Sequence, residues 1–513
     1  MSTLALDDGD LSLDRTRAPN KLVITMLAML GTAMQALDMT VVNVALPHME
    51  ASLNATHDQI AWALTSYIVA AAITMPATGW MASRFGRTRL FVISMAGFTI
   101  VSLFCGIAQT LPQMVIFRLL QGVFAASLTP LGQAIMLDTH TREEIGRAMS
   151  IWGMGVMASP LIGPTLGGYL TEEFSWRWCF YINLPMGLIT VLGALAFIPE
   201  TARIPDRKFD WFGFGFLGLM LACLQLILDR GAQNGWFQAA EIKVEAALAL
   251  FALYMFVVHS ATAKQPFLDP AMLRDRTFAL SLIITASVGM LMLGPMVLGP
   301  LLLQTELNYP VVTAGLVLAP RGLGTILAML VYGRIANRID QRLLVGMGLI
   351  LTALSMYLMS LWPIAVTKDY IIMAGVAQGA GMGLTFGPIT VLAFATLPVR
   401  LRTEATGFSS LIRSTGGSLG ISMGVYKLTE LMQINHARLG AHLTPFRHIH
   451  GAVGGNAATA LTMLNLDLTH QAGMVAFVNV FRIWAIVSLA FVPVLFFMRV
   501  GQHASDTAAT MAH

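Results

Sequence analysis

The chain has 513 residues, 56% of them hydrophobic and 11% charged, with a mean hydropathy of +0.70. Charge is roughly half that of an average soluble domain, which excludes a soluble globular protein and points to a bilayer. The net charge of +4 does not indicate nucleic acid, because Lys and Arg stand in short clusters between apolar runs, a topological pattern.

Residues 1–20 are polar and begin with acids, so they read as a retained tail, with the first span as an uncleaved membrane signal. Apolar windows then predict spans near 22–46, 60–80, 90–109, 112–136, 148–168, 179–198, 211–229, 244–262, 278–303, 312–331, 343–362, 370–394, 405–427 and 474–498. Of the 31 Lys and Arg, twenty fall in alternate connections that share a side with the N-terminus, and seven fall opposite. Arg118, Arg321, Arg413 and Arg482 lie within spans. Fourteen spans with both termini cytoplasmic satisfy the positive-inside rule.

GWMASRFGRTRL at 79–90 is echoed by GRIANRIDQRLL at 333–344, and Gln121-Gly122 by Gln378-Gly379. Both matches pair span n with span n+8, which predicts an all-α membrane protein of two six-helix halves with two inserted helices. The expected division is a tail at 1–20, a half at 21–198, a linker with the inserted helices at 199–262, a half at 263–498 and a tail at 499–513. Parallel halves of this kind place a transport site at their interface. The second half contains an outer segment, 428–473, with His436, His442, His448, His450 and His470. It reads as a solvated loop with short helices, and its spacings fit no standard zinc motif. Cys105, Cys179 and Cys223 lie in apolar segments and are expected as small buried residues, without disulfide or metal.

The first span, KLVITMLAMLGTAMQALDMTVVNVALP, carries a single acid, Asp38, with Gln35 and Asn43 near it. A carboxylate there must face protein or a water-filled cavity, so it is a functional candidate by default. At 1.5 Å per residue, Asp38 lies about 6 Å and Arg118 about 9 Å to the outer side of mid-membrane, so the opposite charges match in depth. Movement that changes burial or charge pairing would let the acid take up or release a proton; a fixed ion pair is the structural alternative. Gln121 shares the Arg118 helix face. The fifth span spaces Gly155, Ser159, Gly163 and Gly167 at four-residue intervals, with Pro160 and Pro164 between them. Small residues let helices approach closely, and the twelfth and thirteenth spans carry similar ridges. Arg321 and Arg413 are buried cations that need partners, and with Gln35, Asn43, Gln121 and Gln378 they are candidates to line a substrate cavity. No Walker loop, nucleophile elbow, HExxH or strand-borne GxGxxG occurs, so ATP and enzymatic chemistry are not indicated.

These residues resemble the EmrB/QacA family of fourteen-span drug:proton antiporters in the major facilitator superfamily. The likeness rests on LDMTVVNVALP at 37–47, GWMASRFGRTRL at 79–90, RLLQGVFAA at 118–126 and GVMASPLIGPTLGG at 155–168. WRWCFYINLPMG at 176–187 and LDRGAQNGW at 228–236 are EmrB-like in particular, as is the long segment before the last span. The resemblance implies the major facilitator fold and an inner-membrane permease that exchanges protons for hydrophobic or amphipathic compounds. It implies no cofactor beyond the proton-motive force, and a periplasmic adaptor with an outer-membrane channel as partners. It carries over Asp38 and Arg118 as proton-coupling residues. Gly155 to Gly168, with Gly163, Pro164 and Gly167 at its centre, becomes the antiporter motif. Gly79, Arg84, Gly86 and Arg87 become the gating loop, where Ser83 stands in place of the usual aspartate. A dedicated exporter of one amphipathic acid, and a non-transporting scaffold or sensor, are the competing readings.

Overall fold

The computed structural model describes residues 20–200, 208–231, 235–263, 265–364, 366–398, 401–441 and 457–498. Both tails lie outside the described residues, as do Arg203, Arg207, Lys264, Arg400, His442, Arg447, His448 and His450. Among the described residues the chain is helical. Six rods come first: α1 Lys21–Ser52, α2 Trp62–Thr74 with its extension Thr78–Phe85, α3 Arg87–Ile107, α4 Leu111–Ala125 with its extension Leu128–Thr139, α5 Arg142–Glu173 and α6 Asn183–Phe197. Two follow, α7 Trp211–Arg230 and α8 Ala240–Thr262. The last six are α9 Arg276–Thr305, α10 Pro320–Ile335, α11 Gln341–Met359, α12 Lys368–Phe394, α13 Arg402–Ala441 and α14 Ala457–Phe491.

Among the described residues, eleven helices are long and apolar enough to cross a membrane. The other three rods fall short for local reasons. A 3-10 turn at Met75–Ala77 splits α2, and Gly, Ser and Thr dilute the hydropathy of α5 and α13. Helix starts follow their sequence signals. Asn20, Thr110, Asp210, Asp275 and Asp340 cap α1, α4, α7, α9 and α11 with side-chain oxygens. Thr141 and Glu144 form a reciprocal capping box on α5. Lys21 donates to Glu144 at 2.6 Å, and that bond, with the Thr141 N–H, holds the Glu144 carboxyl down at about 2.

Packing repeats with the sequence. The α1–α5 pair corresponds to α9–α13, and α2–α4 to α10–α12, each pair eight rods apart. The tightest approaches depend on missing side chains. A Cβ on Gly289 of α9 would collide with the Arg413 carbonyl of α13, and a Cβ on Gly379 of α12 with the Arg321 carbonyl of α10. Backbone cannot yield as a side-chain tip does, so Gly289→Val is expected to cost at least the 1–3 kcal/mol typical of overpacking. Thermal unfolding in detergent would register this as a lowered Tm.

Helix α7 packs on α2 and α13. Thr65 donates to Asp229, and Gln225 Nε2 donates to Ser418 Oγ at 2.9 Å. Helix α8 packs mainly on α7, with only 6% of its spanning window buried, so most of its surface meets lipid.

Where it is described, at 428–441 and 457–473, the segment expected as a solvated loop with short helices is helical. Helix α13 runs 40 residues, about 60 Å at 1.5 Å per residue, roughly twice the hydrocarbon thickness. Its end and the start of α14 form an antiparallel pair in which His436 meets Asn465 at 3.1 Å and Asn435 donates to the Ala472 carbonyl at 3.5 Å. Polar residues interspersed among the apolar ones, such as Glu430, Gln433, Asn435, His436 and Arg438, concealed this helix from a hydropathy scan. His470 bonds the Glu306 carbonyl at 2.5 Å and ties α14 to the end of α9. Burial holds the Glu306 carboxyl above the ordinary carboxylate range. The three cysteines are buried and unbridged.

Candidate functional site

The decisive cluster lies inside the first half. Asp38 of α1 and Arg118 of α4 have fully buried side chains and pair at 2.7 Å through Oδ2 and Nη1. Asp38 Oδ1 accepts from Asn183 Nδ2 at 2.8 Å and from Gln121 Nε2 at 3.2 Å. Arg118 is held from several sides. Its Nε donates to the Ala63 carbonyl at 3.1 Å, Nη1 also donates to Gln121 Oε1 at 2.6 Å, and the guanidinium lies over the Tyr67 ring at 4.3 Å. Helices α1, α2, α4 and α6 converge here, and Ser102 of α3 joins through Asn183 at 2.9 Å. A buried ion pair repays its desolvation only with such additional partners. Chemically, the arrangement is a buried carboxylate held by three donors beside a fixed cation.

Gln35, one turn from Asp38, accepts from Thr129 at 2.7 Å and sits on the edge of the cluster. Asn43 is exposed and lies about 12 Å farther along α1. Gln121 belongs to the acid's own cluster, and Gln378 is buried in the second half against the Met356 sulfur at 3.9 Å. Gln378 and Arg321 line one small pocket with Trp362 and Phe481. Arg321 donates to the Met292 carbonyl at 3.2 Å, and Arg413 lies over the Phe386 ring at 5.3 Å. Sequence reasoning missed Asn183. Its signal was an amide five residues into the Trp178–Phe197 span, at the level of Arg118 seven residues into its own span.

The small-residue ridge of α5 packs on α1: Gly155 faces Met29, Gly163 faces Thr40 and Gly167 faces Val41. Ser159 bonds back to the Gly155 carbonyl at 2.7 Å. Helix α5 continues through Pro160 and Pro164, and Gly168 points into open space, apart from the ridge. In the loop at 79–90, Gly86 has φ +92°, a conformation glycine supplies at the turn between α2 and α3. Arg87 pairs with Asp138, and Arg84 lies over Trp80 at 5.9 Å. Gly79 packs directly on Glu404, a carboxylate only 4% exposed in the first turn of α13. Ser83 bonds the Trp80 carbonyl at 2.8 Å.

The two halves meet at the end of the bundle where α1 begins and the last rod ends. Asn337 donates to the Glu143 carbonyl at 2.6 Å, Ser150 to the Met329 carbonyl, and Ser410 to Gln133 at 3.5 Å. Gly146 abuts Ala336. Deeper in, Trp152 and Phe386 stack across the interface at 5.8 Å.

A sequence profile of the Major Facilitator Superfamily matches residues 28–421. The chain belongs to the Major Facilitator Superfamily. Within the superfamily it is an EmrB-like permease, a transporter and not an enzyme. It is 34% identical to the multidrug export protein EmrB of Haemophilus influenzae over 430 residues, 83% of this chain and 84% of that protein. It is 32% identical to the probable multidrug resistance protein EmrY of Escherichia coli, over 93% of this chain and 95% of the other. It is 31% identical to the fatty acid resistance protein FarB of Neisseria gonorrhoeae, over 94% and 96% of the two chains. The human organic anion transporter MFSD10 superposes with a TM-score of 0.62 at 15% identity, covering 93% of this chain and all of that one. The proton:xylose symporter XylE gives 0.59 at 13% identity, covering 92% and 96%. These two establish the superfamily fold alone.

Proposed function

We propose that this permease exports hydrophobic or amphipathic toxic compounds across a bacterial inner membrane in exchange for protons, by alternating access between its two halves. The observation that carries the reading is the buried Asp38–Arg118 pair in one half, beside an interface closed at one end. In this reading the closed end is cytoplasmic, as the Lys and Arg distribution expects, and Asp38 exchanges its proton as the halves rock. The membrane potential contributes about 2.3 kcal/mol per charge per 100 mV, and the pH gradient adds to it. The helical extension formed by α13 and α14 supports a docking surface for a periplasmic adaptor leading to an outer-membrane channel. The names of the EmrB and EmrY relatives support the multidrug reading.

The test is proton release from liposomes holding the purified protein, on adding lipophilic cations, uncouplers and fatty acids in turn. Responses to several unrelated compounds support a multidrug antiporter, and silence with every compound contradicts it. A second reading, export of one amphipathic acid, is favoured by Arg321 and Arg413, which rest against a carbonyl and a ring. The name of FarB agrees with it. Under that reading Arg413→Gln raises KM for fatty acids at least tenfold and leaves lipophilic cations untouched. Equal loss for both classes removes the second reading.

A further inference from the structure

We propose that Asn183 is the residue that positions Asp38 for its proton step, an inference that rests on the reading of Asp38 as the proton carrier. Asn183 is fully buried, with Nδ2 2.8 Å from Asp38 Oδ1 and 2.9 Å from Ser102 Oγ. An ionised carboxylate has no proton to give, so the amide nitrogen must face it, and this fixes which way the amide points. The other amide hydrogen is directed to Ser102. Ser102 donates its own hydroxyl to the Phe180 carbonyl at 3.0 Å and offers a lone pair to Asn183. A continuous chain therefore runs from the Phe180 carbonyl through Ser102 and Asn183 to Asp38, and it anchors the amide from α3 and from the turn before α6.

Two further observations separate Asn183 from a packing residue. Its Oδ1 is buried without a hydrogen-bond partner among the described residues, so the site leaves a polar atom unsatisfied to aim both N–H groups. Gln121, the other amide on Asp38, sits at 3.2 Å and has its oxygen committed to Arg118. With Arg118 on Oδ2 and Asn183 on Oδ1, both carboxylate oxygens face donors. A charge-assisted bond is stronger than a neutral one, so losing either donor weakens the hold on the carboxylate. A proton arriving on Oδ1 would meet the Asn183 N–H head-on, so Asp38 must move away from the amide to accept it. Uptake of the proton and separation of α1 from α6 thereby become one event.

The experiment is the pH profile of substrate-driven proton movement in proteoliposomes of the full chain. Asn183→Leu keeps the volume and removes the donor, and its half-maximal point is expected about one to two pH units more alkaline than wild type. Asn183→Asp sets a second acid beside the first and moves the profile further the same way. Ser102→Ala frees the amide and moves it less. A profile unmoved in all three, with only the yield of folded protein reduced, would overturn the proposal. If Asn183→Leu does not fold, Ser102→Ala and Asn183→Asp decide the matter. Asp38→Asn separates the two readings. Proton coupling that survives in Asp38→Asn removes the role of Asp38 itself, whereas a silent Asp38→Asn beside an unmoved Asn183 series removes only this inference.

Discussion

Asp38→Asn is expected to abolish substrate-driven proton movement while the protein folds and inserts normally. The substituted amide still offers an oxygen to Arg118, which also keeps the Ala63 carbonyl, Gln121 and the face of Tyr67. These contacts offset part of the cost of leaving the cation without its carboxylate, and no group remains at that position to bind and release a proton. Arg118→Leu should behave in the opposite manner. It strands a buried carboxylate, at a cost of about 3–5 kcal/mol, and should appear first as loss of folded protein. Combining the two substitutions removes the stranded charge, so folded protein should return toward the Asp38→Asn level while transport stays absent. Yield measured by size-exclusion chromatography, with proton flux in liposomes, reads both quantities. Wild-type flux in Asp38→Asn would end the assignment, and a double variant no better folded than Arg118→Leu would show that Arg118 serves more than the pair.

Gly79→Val and Gly146→Leu should stop transport by holding the two halves apart. A Cβ at Gly79 would lie 2.5 Å from Glu404 Cγ and 2.8 Å from Glu404 Cα, and the second atom is backbone that cannot rotate away. A Cβ at Gly146 would come within 2.5 Å of the Ala336 Cβ. Both contacts join one half to the other at the closed end, so the added groups press on the closed state and spare the packing within each half. Alternating access needs each end to close in turn. We therefore expect well-folded proteins with transport reduced at least tenfold. A cysteine placed at Ser150 should label several times faster from the side of the termini, because Ser150 is sealed against Met329 when that end is shut. Normal transport in both variants would mean that this contact is not part of the cycle.

Much of this molecule follows from its sequence, because a bilayer penalises every misplaced charge. The apolar runs, the n+8 echo between GWMASRFGRTRL and GRIANRIDQRLL, and the isolated acid at Asp38 are one-dimensional signals with a direct energetic cause. Depth along a helix is also one-dimensional, which is why position in the chain suffices to match Asp38 with Arg118. Rotation about the helix axis and the choice of neighbour are not. Only packing decided that Gln121 serves the acid, that Gln378 lies buried under Met356, and that Asn43 stands apart. Only packing brought Asn183 to Asp38 across 145 residues of chain. Hydropathy also misjudged the reach of α13, since a helix outside the membrane needs a partner and not an apolar surface, and that partner is α14. The sequence determined where polar groups must be sheltered, and the tertiary structure decided by which residues, because shelter in a helical bundle comes from side chains on other helices.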